Sequence, residues 1–177
     1  GGALLQRFKY QFLTRWGFRA EQFKIRRLHM SAEPGHNNAR VHGKGAHAAM
    51  PHNGIDPIPA ACQMVQAFQN ILTRNKHPLD TGVISVTKIH AGEAVNVVPD
   101  DCVVEGTVRT FTIEVLELIE RRMKTIAEAT CAAFEAQCEF EFRRQYPATV
   151  NHVAETDFAR RVLGEVVGAQ NVLDFRP

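Results

Sequence analysis

Polar and apolar positions from residue 39 onward alternate between two periods. "ARVHGKGA" (39–46) reads as a short strand ending at glycines. "NGIDPIPAACQMVQAFQNILTRN" starts a helix, with Asp56 as N-cap and Pro57 at the first helical position. Ile58, Ala61, Cys62, Val65, Phe68 and Leu72 fall at helical spacing and predict one apolar stripe. "GVISVTKIHAG" is β-branched and bounded by glycines, and "DCVVEGTVRTF" reads as a further strand. A long helix follows, with Leu116, Ile119, Met123, Ile126, Thr130 and Phe134 inward. "CEFEFRRQY" then alternates cleanly at Phe140 and Phe142.

The order is strand, helix, strand, strand, helix, strand. It predicts an α+β, ferredoxin-like (split βαβ) fold, a four-stranded antiparallel sheet with two helices on one face. A last helix is expected over 154–167, with Phe158, Val162 and Val166 in register. Residues 1–40 hold no long period, and "SAEPGHNN" reads as turn or loop.

Charge changes the picture at one end. Of 21 Lys and Arg residues, eight lie in residues 1–40 against only Glu21 and Glu33, leaving 13 basic and 17 acidic residues beyond. A basic arm can bind nucleic acid, but a solvated leader is the preferred reading. No apolar run approaches the ~20 residues of a membrane span. The chain starts "GGALLQRFKY", without Met or a signal-peptide pattern, which suggests a fragment or processed product. Cys62, Cys102, Cys131 and Cys138 form no CxxC pair and read as buried free thiols.

The densest chemistry is "VHGKGAHAAMPHNG", where His42, His47 and His52 fall five apart. Side chains five apart on a strand face opposite ways, so no metal triad is expected. His42 reads as a surface residue and His52 as a turn-former. The fold itself admits two classes of function. One is an RNA-binding module, which needs aromatics on the open sheet face. The other is an enzyme's accessory domain, with polar helpers at strand ends.

Three segments in order, "GKGAHAAMPHNGIDPI", "AGEAVNVVPDDCVVEGTVRTF" and "QYPATVNH", closely resemble the lid or dimerisation domain of the aminoacylase and carboxypeptidase metallopeptidase family. The match is nearest to its hippurate hydrolase and N-acyl-amino-acid amidohydrolase branch and covers roughly residues 39–152. The resemblance implies a catalytic domain with two metal ions, usually zinc, interrupted by this lid. It divides the chain into a catalytic-domain remnant (1–38), the lid (39–150) and the start of a returning catalytic segment (151–177). It implies that His47 stabilises an oxyanion in the opposite subunit's site, and that Asn96 and Arg109 hold substrate oxygens.

It also implies a homodimer through residues 82–90 and the 57–74 helix; a cytoplasmic location with no membrane or nucleic-acid partner is expected as well. In "LTRWGFRAEQFKIR", Trp16, Gln22, Phe23 and Ile25 match the region before the lid. Thr14 stands where the family has a metal-binding His, and Arg15 where it has Asn. Thr does not replace imidazole at zinc. The expectation is therefore a chain that binds no metal and is inactive alone, its intact parent a metal-dependent amidohydrolase of N-acyl amino acids or small peptides. The alternative is a free-standing ferredoxin-like interaction module.

Overall fold

The computed structural model describes residues 33–148 and 150–172. The chain divides into two compact units. The described part of the first is residues 33–148, and that of the second is 150–172.

The first unit carries six strands and two helices: β1 (Glu33–His42), β2 (Ala46–His47), α1 (Pro57–Asn70), β3 (Gly82–Ala91), β4 (Val97–Val98), β5 (Asp101–Thr110), α2 (Ile113–Ala133) and β6 (Gln137–Arg144). Four strands make one antiparallel sheet in the order β3-β5-β1-β6, and β2 pairs with β4 in a separate two-stranded ribbon. This is the expected α+β split βαβ arrangement. In the second unit, α3 (Val153–Val167) begins one residue before the expected start. Phe158, Val162 and Val166 on it are exposed.

Strand β1 begins at Glu33, so "EPGHNN" is not the loop its composition predicts. It lies between β5 and β6 and is bonded on both sides, and those ladders outweigh local turn preference. Gly35 is needed there, because a Cβ would lie 2.4 Å from the Phe142 ring.

Both helices start as capping chemistry dictates. The Asp56 carboxylate accepts the Ile58 N–H at 2.9 Å with Pro57 behind it, and the Thr112 hydroxyl accepts the Val115 N–H. The α1 stripe is rotated from its expected position. Pro57, Ala60, Ala61, Met64, Phe68 and Ile71 are buried, whereas Ile58 and Cys62 are exposed. Pro57 and the alanines pack closely on the sheet, and Met64 and Phe68 supply the bulk. On α2 the buried face is Val115, Leu116, Ile119, Met123, Ala127 and Cys131, and Phe134 at its C-cap is exposed. With Ala39, Val41, Ile84, Cys102, Val104 and Val108 from the sheet, these residues form one core. Of the cysteines, Cys102 and Cys131 are buried, Cys138 is half-buried, and Cys62 departs from expectation by being exposed.

The other sheet face carries His36, Asn38, Glu105, Thr107, Glu141 and Arg143, lining an open cleft of about 320 Å³. By register no Phe, Tyr or Trp of the four strands lies on it, because Phe140 and Phe142 pack with the core. The base-stacking platform of an RNA-binding sheet is therefore missing.

Candidate functional site

The chain from His42 to Met50 turns sharply and is held almost wholly by backbone bonds. The Gly43 N–H donates to the Asp100 carbonyl at 2.8 Å. Lys44 and Ile55 exchange both backbone bonds, at 2.8 and 2.9 Å. Gly43 allows this close approach, since a Cβ would meet the Ile55 carbonyl at 2.2 Å. The Gly45 N–H donates to the Asp100 carboxylate, Oδ1, at 2.8 Å.

His47 then enters the β2–β4 ribbon opposite Val97, and the Ala48 N–H donates to the Asn96 carbonyl at 2.9 Å. The Met50 N–H donates to the His47 carbonyl at 2.8 Å and closes a β-turn. Within the turn the Ala49 N–H donates to the His47 ring at Nδ1, 3.1 Å. A neutral imidazole that accepts at Nδ1 carries its proton on Nε2. The ring thus presents one N–H donor outward.

The structure brings His47 and Asn96 side by side on adjacent segments of this exposed tip. Val95 beside them is fully exposed, and Met50 and Val97 are about half exposed. Arg109 lies elsewhere. It is eight residues along β5 from Asp101, so at ~3.3 Å per residue it stands ~26 Å from the tip end of the sheet. Its guanidinium donates to the Thr107 hydroxyl and to the Val108 carbonyl, the latter at 2.8 Å. It makes no ion pair among the described residues, so it is not the cross-strand salt-bridge residue that an exposed strand Arg often is.

His42 and His52 lie on other segments, His42 at the end of β1 and His52 beyond the ribbon. The His42 ring leans toward Glu139, with Nε2 3.5 Å from Oε1, and His52 is exposed in a short 3₁₀ turn, Pro51–Asn53. Among the described residues, no group of three or more His, Cys, Asp or Glu side chains is placed to hold a metal ion. Thr14 and Arg15 lie outside the described residues. The described side chains therefore do not fit a metal centre of their own. Asp100 escaped the sequence reading. Its signal was there, a Pro-Asp pair closing "NVVPD", but nothing local says that its carboxylate reaches Gly45, 55 residues away in the chain.

The first unit is thus a split βαβ sheet with β3 at one edge and the histidine-bearing tip at one end. Residues 22–135 match the M20 family model described as a peptidase dimerisation domain, and the chain belongs to that family. It is 42% identical over 120 residues to the N-acetyl-L-cysteine deacetylase of Bacillus subtilis, covering 68% of this chain and 29% of that protein. It is 34% identical over 152 residues to the IAA-amino acid hydrolase ILR1-like 4 of Arabidopsis thaliana, covering 84% of this chain and 34% of that one. Among solved structures it resembles the Bacillus subtilis YXEP protein, described as a dinuclear metal binding peptidase of the M20 family. The TM-score there is 0.59 at 28% identity, over 81% of this chain and 34% of that chain. The chain thus spans about a third of the length of these relatives. Among the described residues no helix is long and apolar enough to cross a membrane.

Proposed function

We propose that this chain is the dimerisation and substrate-covering lid of a cytoplasmic, divalent-metal-dependent amidohydrolase of N-acyl amino acids or small peptides, of hippurate hydrolase type. The lid, expected from residue 39, takes in the whole of β1 from Glu33 and runs to about residue 150, flanked on both sides by catalytic-domain segments. Hydrolysis requires the metal-bearing catalytic domain of the intact enzyme, and this chain alone is inactive. When bound, the metal would supply a hydroxide nucleophile and polarise the scissile carbonyl.

This chain's own residues bind and orient. The Nε2–H of His47 donates to the oxygen on which charge develops. Asn96 holds a substrate oxygen, and Arg109 grips the substrate carboxylate with its planar, two-pronged guanidinium.

The observation that carries this reading is the placement of these residues at opposite ends of an edge strand. β3 runs from Gly82, beside Thr110, to Ala91, beside Cys102, and leads on to Asn96. If two copies pair β3 antiparallel across a twofold axis, the Ala91 end of one meets the Gly82 end of the other. His47 and Asn96 of one protomer then arrive at the end of the joined sheet that holds the other's Arg109. One chain cannot close this site, and a twofold dimer closes it twice.

Two further features support the surface. Helix α1, the helix beside β3, has no charged residue in its 14 positions, whereas α2 on the same sheet face has seven in 21. An exposed helix face without charge is depleted as interface centres are. Ile89, whose register partner Val104 lies in the core, is left 52% exposed at the edge beside it.

Sedimentation of the wild-type chain at micromolar concentration should give a homodimer. Val86→Pro, which removes a ladder donor, should block dimerisation or unfold β3. A well-folded wild-type chain that sediments as a monomer refutes the interface. In a complete enzyme carrying these lid residues, His47→Ala should lower turnover by ~100-fold or more with a smaller change in KM. Unchanged turnover removes His47 from the mechanism.

A further inference from the structure

We infer that Asp100 is the positioning residue for His47. The inference rests on the reading above in which His47 acts as donor. The β2–β4 ribbon that carries the ring is only two residue pairs long, Ala46 with Val98 and His47 with Val97. So short a ribbon does not hold itself. Its approach from the sheet is the run Gly43–Gly45, in which three successive N–H groups need acceptors. Lys44 is bonded to Ile55, and both of the others go to Asp100: Gly43 to its carbonyl and Gly45 to its carboxylate, each at 2.8 Å.

The carboxylate bond is charge-assisted, which makes it roughly twice as strong as a neutral one. It is also close-fitting, because a Cβ at Gly45 would stand 2.9 Å from Oδ1. Asp100 is fixed in turn by its place directly before β5, where Asp101 pairs with His42. One residue thus ties the strand start at 101 to the glycine run, so that Ala46 and His47 meet Val98 and Val97 in register. The His47–Met50 turn follows from that register, and with it the Ala49 bond to Nδ1 that leaves the proton on Nε2. Without the carboxylate, Gly43 and Lys44 keep their bonds to Asp100 and Ile55, but Gly45, next to the ribbon, loses its acceptor and as a glycine is free to wander.

The test uses the full chain, labelled with ¹⁵N, and reads the His47 ring and individual amides rather than turnover. Wild type should show His47 with an acceptor-type Nδ1 and protonated Nε2, and slow exchange at Gly45 and Ala49. In Asp100→Ala, exchange at Gly45 and Ala49 should rise about ten- to a hundredfold, the factor carried by one hydrogen bond to a charged group. The His47 Nδ1 resonance should move toward that of a free imidazole, while amides of β1, β5 and β6 stay unchanged. Asp100→Asn keeps an acceptor oxygen and should restore most of both signals. Asp100→Ser, whose hydroxyl stops short of Gly45, should behave like the alanine variant and replaces it if that variant does not fold. An unmoved His47 ring and Ala49 amide in either variant overturns the inference, as does unfolding of both, which would make Asp100 a fold residue only. Failure of His47 as donor would appear in the turnover of His47→Ala and leave these resonances untouched, so the two ideas fall separately.

Discussion

Gly106 sits where β5 is crossed by β1 on one side and β3 on the other, opposite Asn37 and Val86. Its φ is ordinary, so an alanine there meets no backbone penalty. The obstacle is space. A Cβ would stand 2.4 Å from the Ser85 carbonyl oxygen, 2.9 Å from Asn37 Oδ1 and 3.0 Å from Val86 Cα. Side chains swing aside cheaply, but two of these three atoms are β3 backbone. β3 carries one extra residue between Val86 and Lys88, a bulge that presses its backbone against β5 at this rung.

For Gly106→Ala, overpacking costs about 1–3 kcal/mol, and a strained or lost ladder bond adds about 1 kcal/mol. Lower entropy of the unfolded chain returns about 0.4–1 kcal/mol. The net is a destabilisation of about 2 kcal/mol, which is about 4–8 °C in Tm for a chain of this size. Urea unfolding followed by circular dichroism measures it. Adding Asn37→Ala should not restore stability, because the dominant clash is with Ser85 backbone. A Gly106→Ala chain as stable as wild type would refute the reasoning and mean that β3 is free to move away from β5.

Ile89→Asp, at the exposed edge beside α1, should raise the dimer dissociation constant at least ~tenfold in sedimentation equilibrium while leaving Tm at low concentration nearly unchanged. An unaltered dimer would place the contact elsewhere. Cys62 alone of the four thiols is exposed, so it should react first with a thiol reagent and more slowly as protein concentration rises into the dimer range. Cys131 and Cys138 should stay silent until unfolding, since burial pushes both thiols up, Cys138 to about 12.

The Lys88–Glu105 pair, 2.8 Å apart, holds Glu105 below the ordinary glutamate range and Lys88 above the ordinary lysine range, in each case first through the hydrogen bond between them. A depressed carboxylate contributes stability above its unfolded pKa and loses it as pH falls through the folded one. A raised amine contributes below its unfolded pKa and loses it as pH rises through the folded one. Lys88→Met should therefore narrow its stability difference from wild type at both the acid and alkaline ends of a pH series. A difference constant across pH would mean the pair contributes nothing through charge.

The order of elements was legible because each records its own environment. Alternation at Phe140 and Phe142 survives because one side of β6 packs on α2 and the other meets water. Asp56 and Pro57 announce α1 by bonds made within three residues. His47, Asn96 and Arg109 were picked out by the resemblance of their segments to the family, not by any periodicity of the chain. What no window of sequence contains is distance across the fold. "EPGHNN" carries turn residues yet becomes the central strand, because β5 and β6 offer it ladders that only the assembled sheet provides. The stripe on α1 turned because Ala60 and Met64 face the sheet in place of Ile58 and Cys62, a matter of fit against the sheet rather than of hydrophobicity. Asp100 reaches Gly45, and Arg109 stands a strand's length from His47, through register alone. Local chemistry chose the elements, and long-range packing chose which faces, ends and carboxylates meet.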